Sequence, residues 1–288
     1  MSLIRVLRTA AVTLTHTFLV DEVPTDADAA VTVTVERLDG TLVVAGAATH
    51  TGPGVYTFAM PGQTSVDTLT VDWTGAILLA PISVRDYVDI AGGFLFGLAE
   101  VRAAHPGLAS TATYPVEMLA ERRIQIEQEC ETLSGQAWVP RFARVACSGN
   151  GSAMLRTPHL ALRTVRAVSV VTSSATTPFS AGELARVVPL ESGILHLRNG
   201  YWPVGYQNII VEVEHGADLP PEEIRQAAIL RMRSVLATTK TSIPDRAVSY
   251  TVNDGGVFRL ATPSATSTGI PDVDAAYSRY RIDQGGFA

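Results

Sequence analysis

The sequence predicts an α+β, multidomain fold. An immunoglobulin-like β-sandwich comes first, and helices bracketing a second set of strands follow. Three observations carry this. Residues 1–85 alternate apolar and polar side chains with a period of two, broken by turn residues every few positions. Apolar residues then recur at helical spacing on either side of residues 138–215. Between those helices the period returns to two.

The first unit spans residues 1–88. Its expected strands are 4–8, 12–20, 30–38, 41–47, 54–59, 68–73 and 77–84, parted by Pro24 to Asp28, Asp39-Gly40, Gly52 to Gly54 and Pro61-Gly62. Asp-Gly between two alternating runs is a hairpin signal, because glycine takes the left-handed turn position at no steric cost. Seven short strands at this spacing fit an immunoglobulin-like sandwich. No Cys…Trp…Cys framework accompanies them. The opening MSLIRVLRTAAVTLTHTFLV imitates a leader peptide, but Thr13, Thr15 and Thr17 alternate with Val12, Leu14 and His16, as in a strand. No stretch of the sequence is apolar enough over 18 residues to span a bilayer.

Gly92-Gly93 reads as a hinge into a second unit, residues 89–288. A helix is expected over 94–105, stopped by Pro106-Gly107, and another over about 115–133, stopped by Gly135. Leu119, Ile126, Cys130 and Leu133 form one seam of it. Strands are expected at 141–147, 153–155, 165–172, 185–189, 194–197 and 208–214, then a helix over about 220–239. From about residue 242 a Ser/Thr/Gly-rich tail holds one short strand near 248–252 and a short helix begun by Pro271.

Of 288 residues, 47% are hydrophobic and only 17% charged, which favours an assembly that hides surface. The net charge of −6 disfavours whole-molecule attraction to nucleic acid or anionic membrane. Lys240 is the one lysine among 22 basic residues, so a phosphate-binding Gly-Lys-Ser/Thr loop is impossible. His-Glu-x-x-His and Gly-x-Ser-x-Gly are also missing. Cys130 and Cys147 have no zinc spacing, and Cys130 reads as a buried thiol.

One cluster invites a chemical reading: Glu212, Glu214 and His215 in VEVEHG. In a strand, Glu212 and Glu214 share a face about 7 Å apart, while His215 points to the other. A metal site needs three convergent ligands, so the pattern fits a half-exposed strand end better than a metal-dependent hydrolase. Asp272 and Asp274 in PDVDAAY fit acids at a helix N-terminus better than Mg²⁺ ligands. No catalytic residue, metal or cofactor is expected.

Several stretches, in order, carry a resemblance. These are GGFLFGLAEVRAAHPGL, YPVEMLAERRIQIEQECETLSGQAWVPR, LRTPHLALRTVRAVSV, NIIVEVEHGADLPPEEIRQAAILRMRSVL, IPDRAVSYTVNDGG and TGIPDVDAAYSRYR. Together they resemble the head-to-tail adaptor (connector) proteins of long-tailed bacteriophages over about two-thirds of the chain. The first unit looks like the immunoglobulin-like modules that some phages of actinobacteria place ahead of an adaptor; the minimal family lacks it. The resemblance implies a small α-helical bundle with a long β insertion, about 138–215, and an extended tail, about 242–288. It implies a virion protein of the neck, made in the bacterial host cytoplasm, with no enzyme activity, cofactor or membrane partner. Twelve copies would form a ring joining the portal to a stopper or tail-terminator protein and passing double-stranded DNA. The tail, with Ile270, Pro271, Asp272, Val273, Asp274, Tyr277, Tyr280 and Arg281, would touch the portal. Trp138, Arg141, Arg163 and Trp202 would meet the neighbouring subunit. The other reading kept open is a surface-binding module built on the immunoglobulin-like unit.

Overall fold

The computed structural model describes residues 3–104, 106–237, 247–251, 257–260, 264 and 267–282. The front unit consists of β1 (Leu3–Leu7), β2 (Val12–Thr17), β3 (Leu19–Val20), β4 (Val23–Pro24), β5 (Thr32–Arg37), β6 (Leu42–Ala47), β7 (Thr49–Gly52), β8 (Val55–Met60), β9 (Asp67–Ile77) and β10 (Ala80–Ala91). One sheet has the order β1-β10-β9-β5-β6, and a second β2-β8-β7. Val33, Val71, Trp73 and Val88 from the first meet Leu14, Tyr56 and Met60 from the second in one buried cluster. Strand alternation puts these residues inward, and burying them is the main stabilising contribution. β1 lies parallel to β10, so the first and last strands of the unit adjoin. The β5–β6 turn has Gly40 at φ 86°, with the Thr41 N–H donating to Asp39 Oδ1 at 2.8 Å.

The expected strand end at 84 and hinge at Gly92-Gly93 need correction. β10 continues to Ala91, and the Gly92 N–H donates to the Pro140 carbonyl at 2.9 Å. A Cβ at Gly92 would come within 2.6 Å of the Pro140 ring, so this glycine serves close packing rather than hinge motion.

The rear unit opens with α1 (Leu98–Ala104), a 3₁₀ turn at Pro106–Leu108 and α2 (Val116–Ser134). Gly135 ends α2 in the left-handed region at φ 78°, its N–H donating to the Glu131 carbonyl at 3.0 Å. The β insertion follows: β11 (Arg141–Gly149), β12 (Met154–Arg156), β13 (Leu162–Val171), β14 (Thr176–Pro178), the single-turn α3 (Ala181–Leu184), β15 (Val187–Leu190), β16 (Ile194–Leu197) and β17 (Gly205–His215). Its sheets run β11-β17-β13-β14 and β12-β16-β15 over a core that includes Leu195, Trp202 and Val211. Then come α4 (Glu222–Ala237), the antiparallel pair β18 (Ala247–Thr251) and β19 (Val257–Leu260), and α5 (Pro271–Arg279). The expected end at 239 of the helix begun near 220, and the expected strand end at 252, lie outside the described residues.

α2, α4 and α5 pack through Leu119, Ile126 and Cys130, Ile224, Ala228 and Met232, and Val273 and Tyr277. This corrects the expectation of an extended tail after about 242. Residues 270–279 fold back as a bundle helix because their apolar positions recur at helical spacing and find the seam of α2. Among the described residues, no helix is long and apolar enough to cross a membrane.

Candidate functional site

The cluster that invited a chemical reading separates on β17. Ile209, Val211 and Val213 face the insertion core, and Glu212 and Glu214 face the front unit. Glu214 accepts from Arg166 Nε at 2.8 Å, and Glu212 lies 3.3 Å from Arg144. Burial pushes the Glu212 carboxyl up, with Arg144 opposing. The same arginines reach the front unit: Arg144 donates to the Leu38 carbonyl, and Arg166 lies 3.6 Å from Asp67. Burial likewise raises the Asp67 carboxyl, against Arg37 at 3.5 Å. The glutamates are therefore one side of an ionic seam between the two units.

His215 is buried on the opposite face, its ring stacked on His159 with centroids 4.0 Å apart. Burial is the largest cause pushing His215 down, to about 3, with His159 and Arg141 adding. Burial also lowers His159. Both rings are neutral at neutral pH. They border a groove of about 620 Å³ beside the end of α2, with Gln128, Glu131, Thr132 and Gln136 on its other wall. Among the described residues no group of three or more metal-binding side chains converges.

A second ionic cluster joins the units and is more deeply buried. Arg5 of β1 donates to Asp89 of β10 at 2.6 Å and to Glu127 of α2 at 2.7 Å. Arg141 of β11 donates to Glu127 at 3.1 Å and to Glu131 at 3.0 Å. The other Glu127 oxygen accepts the Leu95 N–H at 2.7 Å. Arg123 lies with its guanidinium 3.3 Å from the centre of the Phe94 ring. Three cations thus meet three carboxylates. Burial by itself would lower Arg5, but Asp89, Glu127 and Glu131 outweigh it and hold it raised. Burial pushes Glu131 up against the pull of Arg141 and Arg5. It lowers Arg123, with Glu127 opposing.

The residues expected at interfaces are placed differently. Of the tail residues expected at the portal, Ile270, Val273 and Tyr277 are buried in the bundle. Asp274 accepts from the Thr268 N–H and hydroxyl at 2.7 and 2.8 Å, closing the turn before α5. Pro271, Asp272 and Arg281 are exposed, and Tyr280 is half-buried, edge-on to Trp138 with centroids 5.7 Å apart. Of the set expected at subunit contacts, Trp138, Arg141 and Trp202 are buried inside the chain. Trp138 Nε1 donates to Ser134 Oγ at 2.9 Å, and Trp202 Nε1 to the Ala153 carbonyl at 3.1 Å. Arg163 is exposed and pairs with Asp218 at 2.8 Å.

Sequence reasoning missed Arg5, Asp89, Arg123 and Glu127. The signal present was helical phase: Arg123 and Glu127 fall among Leu119, Ile126 and Cys130 on the apolar stripe of α2.

No family model and no curated protein matches the chain. Solved structures similar to it include two from gene transfer agent particles. One chain is from the neck of an empty gene transfer agent particle computed with C6 symmetry. It is 19% identical, covers 67% of this chain and 93% of that one, and has a TM-score of 0.45. The other is from the virion of a native gene transfer agent particle. It is 18% identical, with 67% and 93% coverage and a TM-score of 0.43. Similarity of this extent leaves function to be argued from the residues.

Proposed function

We propose that the chain is a structural virion protein, a head-to-tail adaptor whose copies form a ring between the portal and a stopper or tail-terminator protein. The observation that carries this is the order of pieces. The landmarks resembling the adaptor family fall on a helical bundle, α1, α2, α4 and α5, interrupted between α2 and α4 by a β insertion with its own core. The groups that looked chemical are engaged in packing: Glu212 and Glu214 pair with Arg144 and Arg166 in the seam between the units, and His215 stacks on His159 within the insertion. Twelve copies would enclose a passage for double-stranded DNA.

The front unit is proposed as an immunoglobulin-like sandwich. Two sheets sharing one core, and a first strand parallel to the last, support that reading. Portal contact would fall to the outward side of α5 and the residues after it, Pro271, Asp272, Tyr280 and Arg281, since the inward side is occupied. Imaging of the neck of purified virions tests the proposal. The expected result is a ring of this chain directly below the portal, and particles made without the chain should be tailless, DNA-filled heads. A neck without this density, or normal tailing without the chain, overturns it.

A further inference from the structure

Two exposed tips of the chain each present apolar or aromatic side chains and are opposite in charge. The first is the end of the front unit far from the ionic seams. The seams use Arg37, Leu38, Asp67 and Asp89, at one end of the strands. The β9–β10 turn and the β3–β4 ribbon lie at the other end, tied together by the segment between them: the Leu79 N–H donates to Asp28 Oδ2 at 2.7 Å and the Asp28 N–H to the Ala76 carbonyl at 2.8 Å.

The β9–β10 turn consists of Leu78 and Leu79 at φ 52° and 64°, and they are 72% and 91% exposed. A two-residue turn of this kind favours Asn-Gly, because a Cβ is strained at positive φ. Two leucines here are unfavourable both for backbone and for solvation. Leu19 and Val23, on the ribbon beside them, are also exposed. The rim is acidic, with Asp21, Glu22, Asp26 and Asp28 all exposed and no arginine or lysine in residues 9–36, 48–60 or 73–84. Anionic lipid and nucleic acid are repelled by such a rim.

The second tip is the loop 199–206 of the insertion. Trp202 anchors it, fully buried and stacked on Phe179 at 5.9 Å. Tyr201, Val204 and Tyr206 around this anchor are 77%, 78% and 84% exposed. A rigid loop that presents aromatic side chains suits an interface, since little entropy is lost on binding. Arg186 and Arg198 are exposed beside it, their backbones joined by an N–H···O bond of 2.9 Å. Glu183, the acid nearest Arg186, is engaged by Ser180 in a capping box. No Asp or Glu occurs in residues 132–182 or 192–211.

The imbalance extends beyond the tips. Residues 1–88 contain four arginines and nine acids, a net −5, and residues 132–211 contain seven arginines and two acids, a net +5. Neither tip covers the other within the chain, as both sets of side chains are exposed. On the ring reading above, we infer that the Leu78-Leu79 tip of one copy docks on the Tyr201–Tyr206 loop of the next. Such a contact is heterologous, and it closes a ring when the rotation between copies allows.

Sedimentation velocity over a concentration series tests this. The wild type is expected to self-associate, less so as salt screens the opposed rims. Leu78→Asn with Leu79→Gly places the preferred turn residues at the tip. It should raise the thermal midpoint while leaving the protein monomeric, which separates lost docking from lost folding. Tyr201→Ser with Tyr206→Ser should also be monomeric. Mixed together, the two variants should form a 1:1 heterodimer and nothing larger, because one intact tip meets one intact loop. A wild type monomeric throughout, a tip variant that associates as the wild type does, or a mixture that stays monomeric each overturns the inference. A neck image with the ring present but this contact missing overturns the inference and leaves the ring reading standing.

Discussion

Glu127 sits at the centre of the junction, with 1% of its side chain exposed, between Arg5 and Arg141. A buried ion pair adds little over a well-packed apolar pair, yet removing one partner strands the rest without solvent. Glu127→Ala is therefore expected to cost about 3–5 kcal/mol, read from urea unfolding, and Glu127→Gln less, because it keeps a hydrogen-bond acceptor. A loss comparable to that of an exposed glutamate such as Glu121 would show that water reaches the junction. The histidine pair makes a second prediction at this scale. His215 is held at about 3 when folded, against an ordinary value of 6.5. Its pKa is depressed by folding, so the unfolded chain binds the extra proton. The contribution is fully present above pH 6.5 and is lost as pH falls toward 3. By pH 5 about 2 kcal/mol should be gone. His215→Leu should flatten the dependence of the urea midpoint on pH between 7 and 5, whatever its effect on stability at pH 7. An unchanged slope would rule out His215 as its source.

At the scale of elements, α5 is where sequence and structure part most usefully. PDVDAAYSR reads as a short helix, and it is one; its destination is what was hidden. Val273, Ala276 and Tyr277 lie on one side at helical spacing, but nine residues give no sign of whether that side meets a partner or the chain's own bundle. The seam it fills belongs to α2 and α4, far away in sequence. Removing residues 271–288 should therefore unfold the bundle, and Tyr277→Ala alone should cost about 3–5 kcal/mol. Near-ultraviolet circular dichroism unchanged by the truncation would contradict this. β10 runs past its expected end at 84 for a related reason. Asp86 and Asp89 look like the polar edge of a linker, but their partners, His16 at 2.9 Å and Arg5 at 2.6 Å, lie more than 60 residues away. Strands and helices with local signals were legible: Asp39-Gly40 for the β5–β6 hairpin, Gly135 for the end of α2, and alternating Ile209, Val211 and Val213 for β17. Glu212, Glu214 and His215 were legible as to face but not as to partner, since no local pattern reports a buried ion pair.

At the scale of the whole molecule, two units with separate cores are joined by charge rather than by a shared apolar layer. One seam runs through Arg5, Glu127 and Arg141, and the other through Asp67, Arg166 and Glu214. Interfaces between domains of one chain commonly permit relative motion unless they are large and apolar. Here buried, geometrically specific pairs do the fixing, and the short connection Gly92-Gly93 is packed on Pro140 and Val139. The front unit should then be carried in a fixed orientation relative to the rear unit. Calorimetry of the wild type should show a single cooperative transition, because neither unit can open without exposing the charges of both. Arg5→Ala combined with Arg166→Ala cuts each seam once and leaves the apolar cores of both units intact. It should split the trace into two transitions, one for each unit, and the split should be wider than either single variant produces. A wild-type trace already resolved into two transitions would mean that the seams orient the units without coupling their stability.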